Sequence, residues 1–194
     1  MNFKSLVTKI TVLHRDSIES WQEHGIFLQE SGVLKFVEEN HAFNFQLWNA
    51  EDRARRDDKG PAFVYEAKRE IDSHNQERNN RMELLDEWFY QELSPAMPEH
   101  SVVHSETPGM IIDRLSILAL KSYHMHLQTK RTDVDQNHII NCRAKHEVIV
   151  AQLTQLASCL EKFLEDVASG TRTFRVYHQF KMYNDPALNP ELYA

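Results

Sequence analysis

REIDSHNQERNNRMELLDEW, residues 69–88, has the apolar spacing of a long helix: Ile71, Met82 and Leu85, then Phe89 just beyond it, recur on one side. It also carries Asp72, Asn75, Asn79 and Asn80, residue types that compete with the backbone for hydrogen bonds and weaken helix interiors. At about 100° per residue, Lys68, Asp72, Asn75, Gln76, Asn79, Glu83, Asp86 and Tyr90 form one polar band beside that apolar seam. Arg78 sits inside the seam, between Ile71 and Leu85. A solvated helix face does better with Glu, Lys and Ala, so the band reads as a built polar surface.

Working outward, the helix extends over about 62–93 and is preceded by DDKGPA, residues 57–62, a break at Gly60 and Pro61. Before the break, a helix is expected over about 32–57. Its stripe of Val33, Phe36 and Val37 continues without a phase change into His41, Asn44, Trp48, Asp52 and Arg55. The short connection folds the two into an antiparallel hairpin whose facing residue numbers add up to about 120. That register puts Asp52 near Lys68 or Arg69, Trp48 near Asp72, Asn44 near Gln76 and His41 near Asn79.

The other segments complete an all-α, elongated antiparallel bundle of about five main helices. A first helix covers about 3–23. A fourth, about 108–130, is opened by Thr107 as N-cap and Pro108 in the first turn, and is apolar nearly all round, which marks it as central. It adds Asp113, Arg114, Lys121 and His124 to the polar groups. A fifth, about 133–169, ends at Gly170, the expected C′ glycine. Residues 94–106 read as a loop, and 171–194 as an extended arm packed on a single domain, with Asn-Asp-Pro and Asn-Pro turns. Arg175, Tyr177, Gln179 and Lys181 share one face of that arm; Tyr177, Tyr183 and Tyr193 are candidate interface anchors.

Composition removes several functions. A net charge of −7 lacks the basic surface that nucleic acid needs. No apolar run approaches the ~20 residues of a membrane span. The N-terminal stretch is interrupted by Lys4, Lys9, His14 and Arg15, a poor signal peptide. Cys142 and Cys159 fall in one helix, roughly 25 Å apart at ~1.5 Å per residue, too far to bridge. Two thiols suit the cytoplasm. Gly-rich phosphate loops, a serine nucleophile elbow and cysteine pairs with zinc spacing are absent.

Three readings of the polar stripes remain. They are solvated faces and structural networks; or they line a pocket for an anionic small molecule, with Arg55, Lys68, Arg78 and Lys121 as cations; or they hold metal. Ligand-binding candidates are Asn44, Trp48, Asp52, Arg55, Lys68, Asn75, Gln76, Arg78, Asn79, Asp113, Lys121 and His124. The groups able to move protons are His41, Asp72, Glu83 and Asp86. For metal, Glu38-x-x-His41 has di-metal spacing, with Glu83 or Asp86 as further carboxylates, but the second such motif is missing. Asp135-x-x-His138 is a poor substitute, and His124 and His126 point opposite ways on one helix. No metal or cofactor is therefore assigned.

Four stretches carry a resemblance: FNFQLWNAEDRARRDD (43–58), AKREIDSHNQERNNRMELLDEW (67–88), ETPGMIIDRLSILALKSYHM (106–125) and FRVYHQFKMYNDPALNPELY (174–193). Together they resemble a bacterial family known as a domain of unknown function, of the DUF4254 type. The resemblance implies a single-domain cytoplasmic protein. Some members lie among genes for surface-polysaccharide or lipopolysaccharide assembly, beside glycosyltransferases. No catalytic residues are assigned in the family. The expectation is a protein that binds a sugar nucleotide or sugar phosphate between helices. Its alternative is a non-catalytic partner of a glycosyltransferase, or a homodimer, with purely structural stripes.

Overall fold

A computed structural model describes residues 1–93, 101–180, 182 and 185–193. Five long helices carry the chain: α1 (Phe3–His24), α2 (Val33–Arg53), α3 (Pro61–Leu93), α4 (Pro108–Thr129) and α5 (Gln136–Ala168). Two parallel two-residue strands, β1 (Val102–Val103) and β2 (Arg172–Thr173), and a short α6 (Pro190–Tyr193) complete it. The all-α bundle holds. Among the described residues, no helix is long and apolar enough to cross a membrane.

Local chemistry sets the ends. Asn2 Oδ1 accepts from the Ser5 N–H at 2.9 Å to open α1, and Asp135 Oδ1 accepts from His138 at 2.8 Å to open α5. Helix α5 starts later than expected because Asp133 is drawn into the connecting loop by Arg131, at 2.6 Å. Helix α2 stops at Arg53 rather than Asp57. A short 3₁₀ turn, Asp57–Lys59, follows, and Gly60 at φ 87°, a conformation only glycine adopts freely, delivers the chain to Pro61. Thr107 caps α4 through its hydroxyl, which accepts from Met110 N–H at 3.2 Å.

Helices α2 and α3 pair as one hairpin and α4 and α5 as another, and α1 lies against α4, α5 and α2. The main core gathers Leu85, Phe89, Ile112, Leu115, Leu160 and Leu164. A second cluster joins Ile18, Trp21, Phe45 and Leu120. A third, between α2 and α3, holds Leu47, Ala50, Ala67 and Ile71.

The arm is extended only at first. Phe174 is fully buried, and Glu83 holds the next stretch by accepting from His178 Nδ1 at 3.1 Å and the Gln179 N–H at 2.8 Å. Arg175, Tyr177 and Gln179 are exposed. Lys181, Tyr183 and Asn184, with the start of the expected Asn-Asp-Pro turn, lie outside the described residues, as do residues 94–100 of the expected loop. The cysteines sit as their spacing requires, Cys142 buried and Cys159 exposed on α5.

Candidate functional site

The hairpin has the expected register. Glu39 pairs with Arg81 at 2.7 Å, Asn40 Nδ2 donates to the Arg78 carbonyl at 3.4 Å, and Arg53 meets Glu70. The rotation of α2 about its axis is another matter. Because α2 also packs on α1 and α4, His41 and Asn44 turn toward those helices instead of toward Asn79 and Gln76.

What results is a buried polar relay. Asp113 Oδ1 on α4 accepts from Asn44 Nδ2 at 2.8 Å and Asn40 Nδ2 at 3.1 Å, and lies 3.8 Å from Arg78 Nε. Asn44 Nδ2 also reaches Ser116 Oγ at 3.0 Å, and Ser116 Oγ bonds His41 Nδ1 at 2.7 Å. The His41 ring then lies 4.6 Å from His14 and 5.3 Å from Trp21. Burial pushes His41 down to about 3 and His14 well below the usual imidazole value, the latter helped by its neighbour His41. Both rings are neutral at pH 7. The asparagines of α2 thus satisfy one buried carboxylate that the Arg78 guanidinium faces.

Beside this relay a cleft of about 340 Å³ opens between α2, α3 and α4. Leu47, Ile117 and Leu120 line it together with Asn44, Asn75 and Arg78. Trp48 forms a wall and stacks on His124 at 4.4 Å, with ring planes 7° apart. Glu51, Asp52 and Arg55 ring the mouth, where Arg55 pairs with Glu51 at 2.6 Å. Burial lowers His124, and the Asp52 carboxylate opposes that shift. Arg78 Nε is buried with no hydrogen bond, and Nη2 makes one long bond to Asn79 Oδ1, 3.5 Å.

Six of the sequence-derived candidates therefore share the cleft: Asn44, Trp48, Asp52, Arg55, Asn75 and Arg78. Asp113 and Asn79 are buried partners of Arg78, and His124 backs Trp48. Gln76 bonds Asn80 at 2.9 Å along α3. The others lie elsewhere. Lys68 and Asp72 face solvent, Asp72 paired with Arg69 at 2.9 Å, because the band on α3 is wider than the cleft. Lys121 lies in a different groove, between α4 and α5.

None of the four proton-carrying candidates lines the cleft. His41 is sealed at the end of the relay, and Glu83 ties down the arm. Asp86, 2% exposed, accepts from the Gly109 N–H at 2.6 Å and from Thr107, under the start of α4. Glu38 is turned away from His41: its carboxylate accepts from the Gln29 and Glu30 N–H groups, both at 2.9 Å. Among the described residues, no three His, Cys, Asp or Glu side chains converge as a metal site. Reading the sequence missed Ser116, Asn40 and His14. Ser116 left a signal, since it stands three residues after Asp113, on the same face of a stretch that is apolar apart from them and Arg114.

Burial raises the Asp86 carboxyl to about 7, against the opposing hydrogen bonds from Thr107 and Gly109. A raised acid holds an extra proton in the folded state, so its stabilising contribution falls as pH rises from about 4 to about 7. Asp86→Asn is expected to flatten that part of the stability profile, as read by urea unfolding across the same window. An unchanged slope would refute the assignment.

The fold and site define a class: a helical bundle with a polar cleft sunk between three helices and fed by a buried carboxylate network. The chain belongs to the family described as "Protein of unknown function (DUF4254)", whose sequence model matches residues 34–176. That span contains the whole cleft and most of the relay. No curated protein and no solved structure matches the chain.

Proposed function

We propose that the protein binds a small polar metabolite with an anionic group, a sugar phosphate, in the cleft between α2, α3 and α4. The observation that carries this reading is the Arg78 guanidinium, whose Nε is buried without a hydrogen bond beside an open cleft. A buried donor left unsatisfied costs about 1–3 kcal/mol. Asp113 lies too far away to satisfy it, and an oxyanion in the cleft would take up the guanidinium's remaining donors in pairs. Asn75 and Asn44 supply neutral amides suited to hydroxyls, and Trp48 supplies a flat apolar wall.

Size narrows the ligand. The cleft, about 340 Å³, lies at the low end of the roughly 300–1,000 Å³ of ligand pockets. That suits a sugar phosphate better than a whole sugar nucleotide. With no proton carrier of the original four at the cleft, binding is the better supported half of the reading. A role in surface-polysaccharide assembly in the bacterial cytoplasm follows from the family resemblance alone. A second reading, an interaction partner for a glycosyltransferase or a second copy, draws on the arm, where Phe180 is 84% exposed and Leu192 and Tyr193 are also open.

Thermal shifts with a hexose 1-phosphate, the free hexose and a UDP-hexose test the cleft. The hexose phosphate at a hundred times its Kd should add about 2.7 kcal/mol of stability. Arg78→Ala should weaken that binding about tenfold to a hundredfold while the far-UV circular dichroism stays helical. Absence of a shift with all three compounds refutes the cleft reading.

A further inference from the structure

A second, larger depression of about 940 Å³ runs between α4 and α5, and it combines an apolar floor with a cationic lining. Its floor is apolar: Ile117, Leu118, Leu156 and Phe163. Four cations line it from three elements, Arg114 and Lys121 on α4, Lys162 on α5 and Arg172 on β2. Three carboxylates share three of these. Glu106 pairs with Arg114, Asp166 takes Lys162 at 2.9 Å and Arg172 at 3.4 Å, and Glu165, just outside the lining, lies 3.8 Å from Lys162. Four cations against the two lining carboxylates leave the lining at +2, histidines left out of the count, in a chain of net charge −7 on the same count.

We propose that this groove binds an anionic amphiphile, an aliphatic body carrying a single phosphate or carboxylate head. The reading is independent of the cleft between α2, α3 and α4. Cations alone would suit a hydrophilic anion, and an apolar floor alone a neutral chain. Only an amphiphile uses both, placing its body over Ile117, Leu118 and Leu156 and its head among the cations.

Cys159 lines the groove and is exposed, whereas Cys142 on the same helix is buried, so the chain carries its own footprinting pair. The experiment follows the reaction of the full chain with a neutral dipyridyl disulfide reagent. Dodecyl phosphate below its micelle concentration should slow Cys159 tenfold or more and leave the slow Cys142 unchanged. Dodecanoate should do the same; inorganic phosphate and neutral dodecyl maltoside should not. Lys121→Glu, a change on an exposed position, should keep the melting temperature and raise the half-protecting concentration of dodecyl phosphate about tenfold.

Equal protection by dodecyl maltoside overturns the proposal, because the cations would then be idle. Protection only by anionic phospholipid vesicles also overturns it, in favour of a membrane surface. Protection that grows with protein concentration and no additive overturns it in favour of a second copy. Faster reaction of Cys142 would mark unfolding by the amphiphile and count against it too. The Arg78→Ala variant, silent in this footprint, separates failure here from failure of the cleft.

Discussion

Gly109→Ala is expected to destabilise the fold by about 3 kcal/mol, far beyond an ordinary added methyl in a helix. A Cβ at residue 109 would stand 2.5 Å from the Met82 carbonyl oxygen and 2.7 Å from Asp86 Oδ1. The first of these is backbone and cannot rotate away. The second is the carboxylate that receives the Gly109 N–H at 2.6 Å, so relief by moving Asp86 would break the contact it makes. Helix α4 would have to lift from α3, loosening the core around Leu85, Phe89 and Ile112. Urea unfolding of the variant against the parent checks this. A loss under about 1 kcal/mol would mean that α3 and α4 approach less closely than described.

Acid should unfold the protein through its interior. The native His14 and His41 rings are held neutral by burial, His41 down to about 3, while the unfolded chain titrates near the usual 6.5. The sign follows from linkage. Above about 6.5 neither state carries the extra protons and the full stability is present. As pH falls toward 3, the unfolded state binds protons that the native state refuses. At pH 4.5 the His41 ring costs on the order of 3 kcal/mol, a large share of a typical domain's stability, and His14 adds to it in the same direction. Asp86 slopes the other way over about pH 4 to 7, but it is one group against two. His14→Phe, which removes one basic ring, should move the acid midpoint down in far-UV circular dichroism. Imidazole proton resonances that titrate near 6.5 in the native protein would sink the account.

The polar relay explains why α2 and α3 tolerate helix-weakening residues. Asn40 and Asn44 on α2 are needed to satisfy Asp113, and Asn79 on α3 to meet Arg78. Their cost in helix propensity, roughly half a kcal/mol each, is small against that of an uncompensated buried carboxylate. Asp72 and Asn80 do nothing of this kind. Asp72 pairs in solvent, and Asn80 bonds Gln76 along its own helix.

Much of the architecture could be read from the chain itself, because apolar periodicity and capping are local. The span of α3, the Thr107-Pro108 start of α4 and the Gly60-Pro61 break are written in neighbouring residues, and the break fixes the register that brings Glu39 to Arg81. Periodicity also set Trp48, Asp52 and Arg55 in one line with Asn44, and all four line the cleft. What sequence could not supply is the identity of the neighbour each face meets. Helix α2 touches three helices, so the rotation that buries His41 against His14 and Ser116 depends on how α1 and α4 cross it. The same holds for Lys121, expected with the polar groups between α2, α3 and α4 but set in a groove toward α5, and for Gly109, whose need to be glycine comes from α3. A helical repeat gives an angle about one axis; only packing turns that angle into a partner.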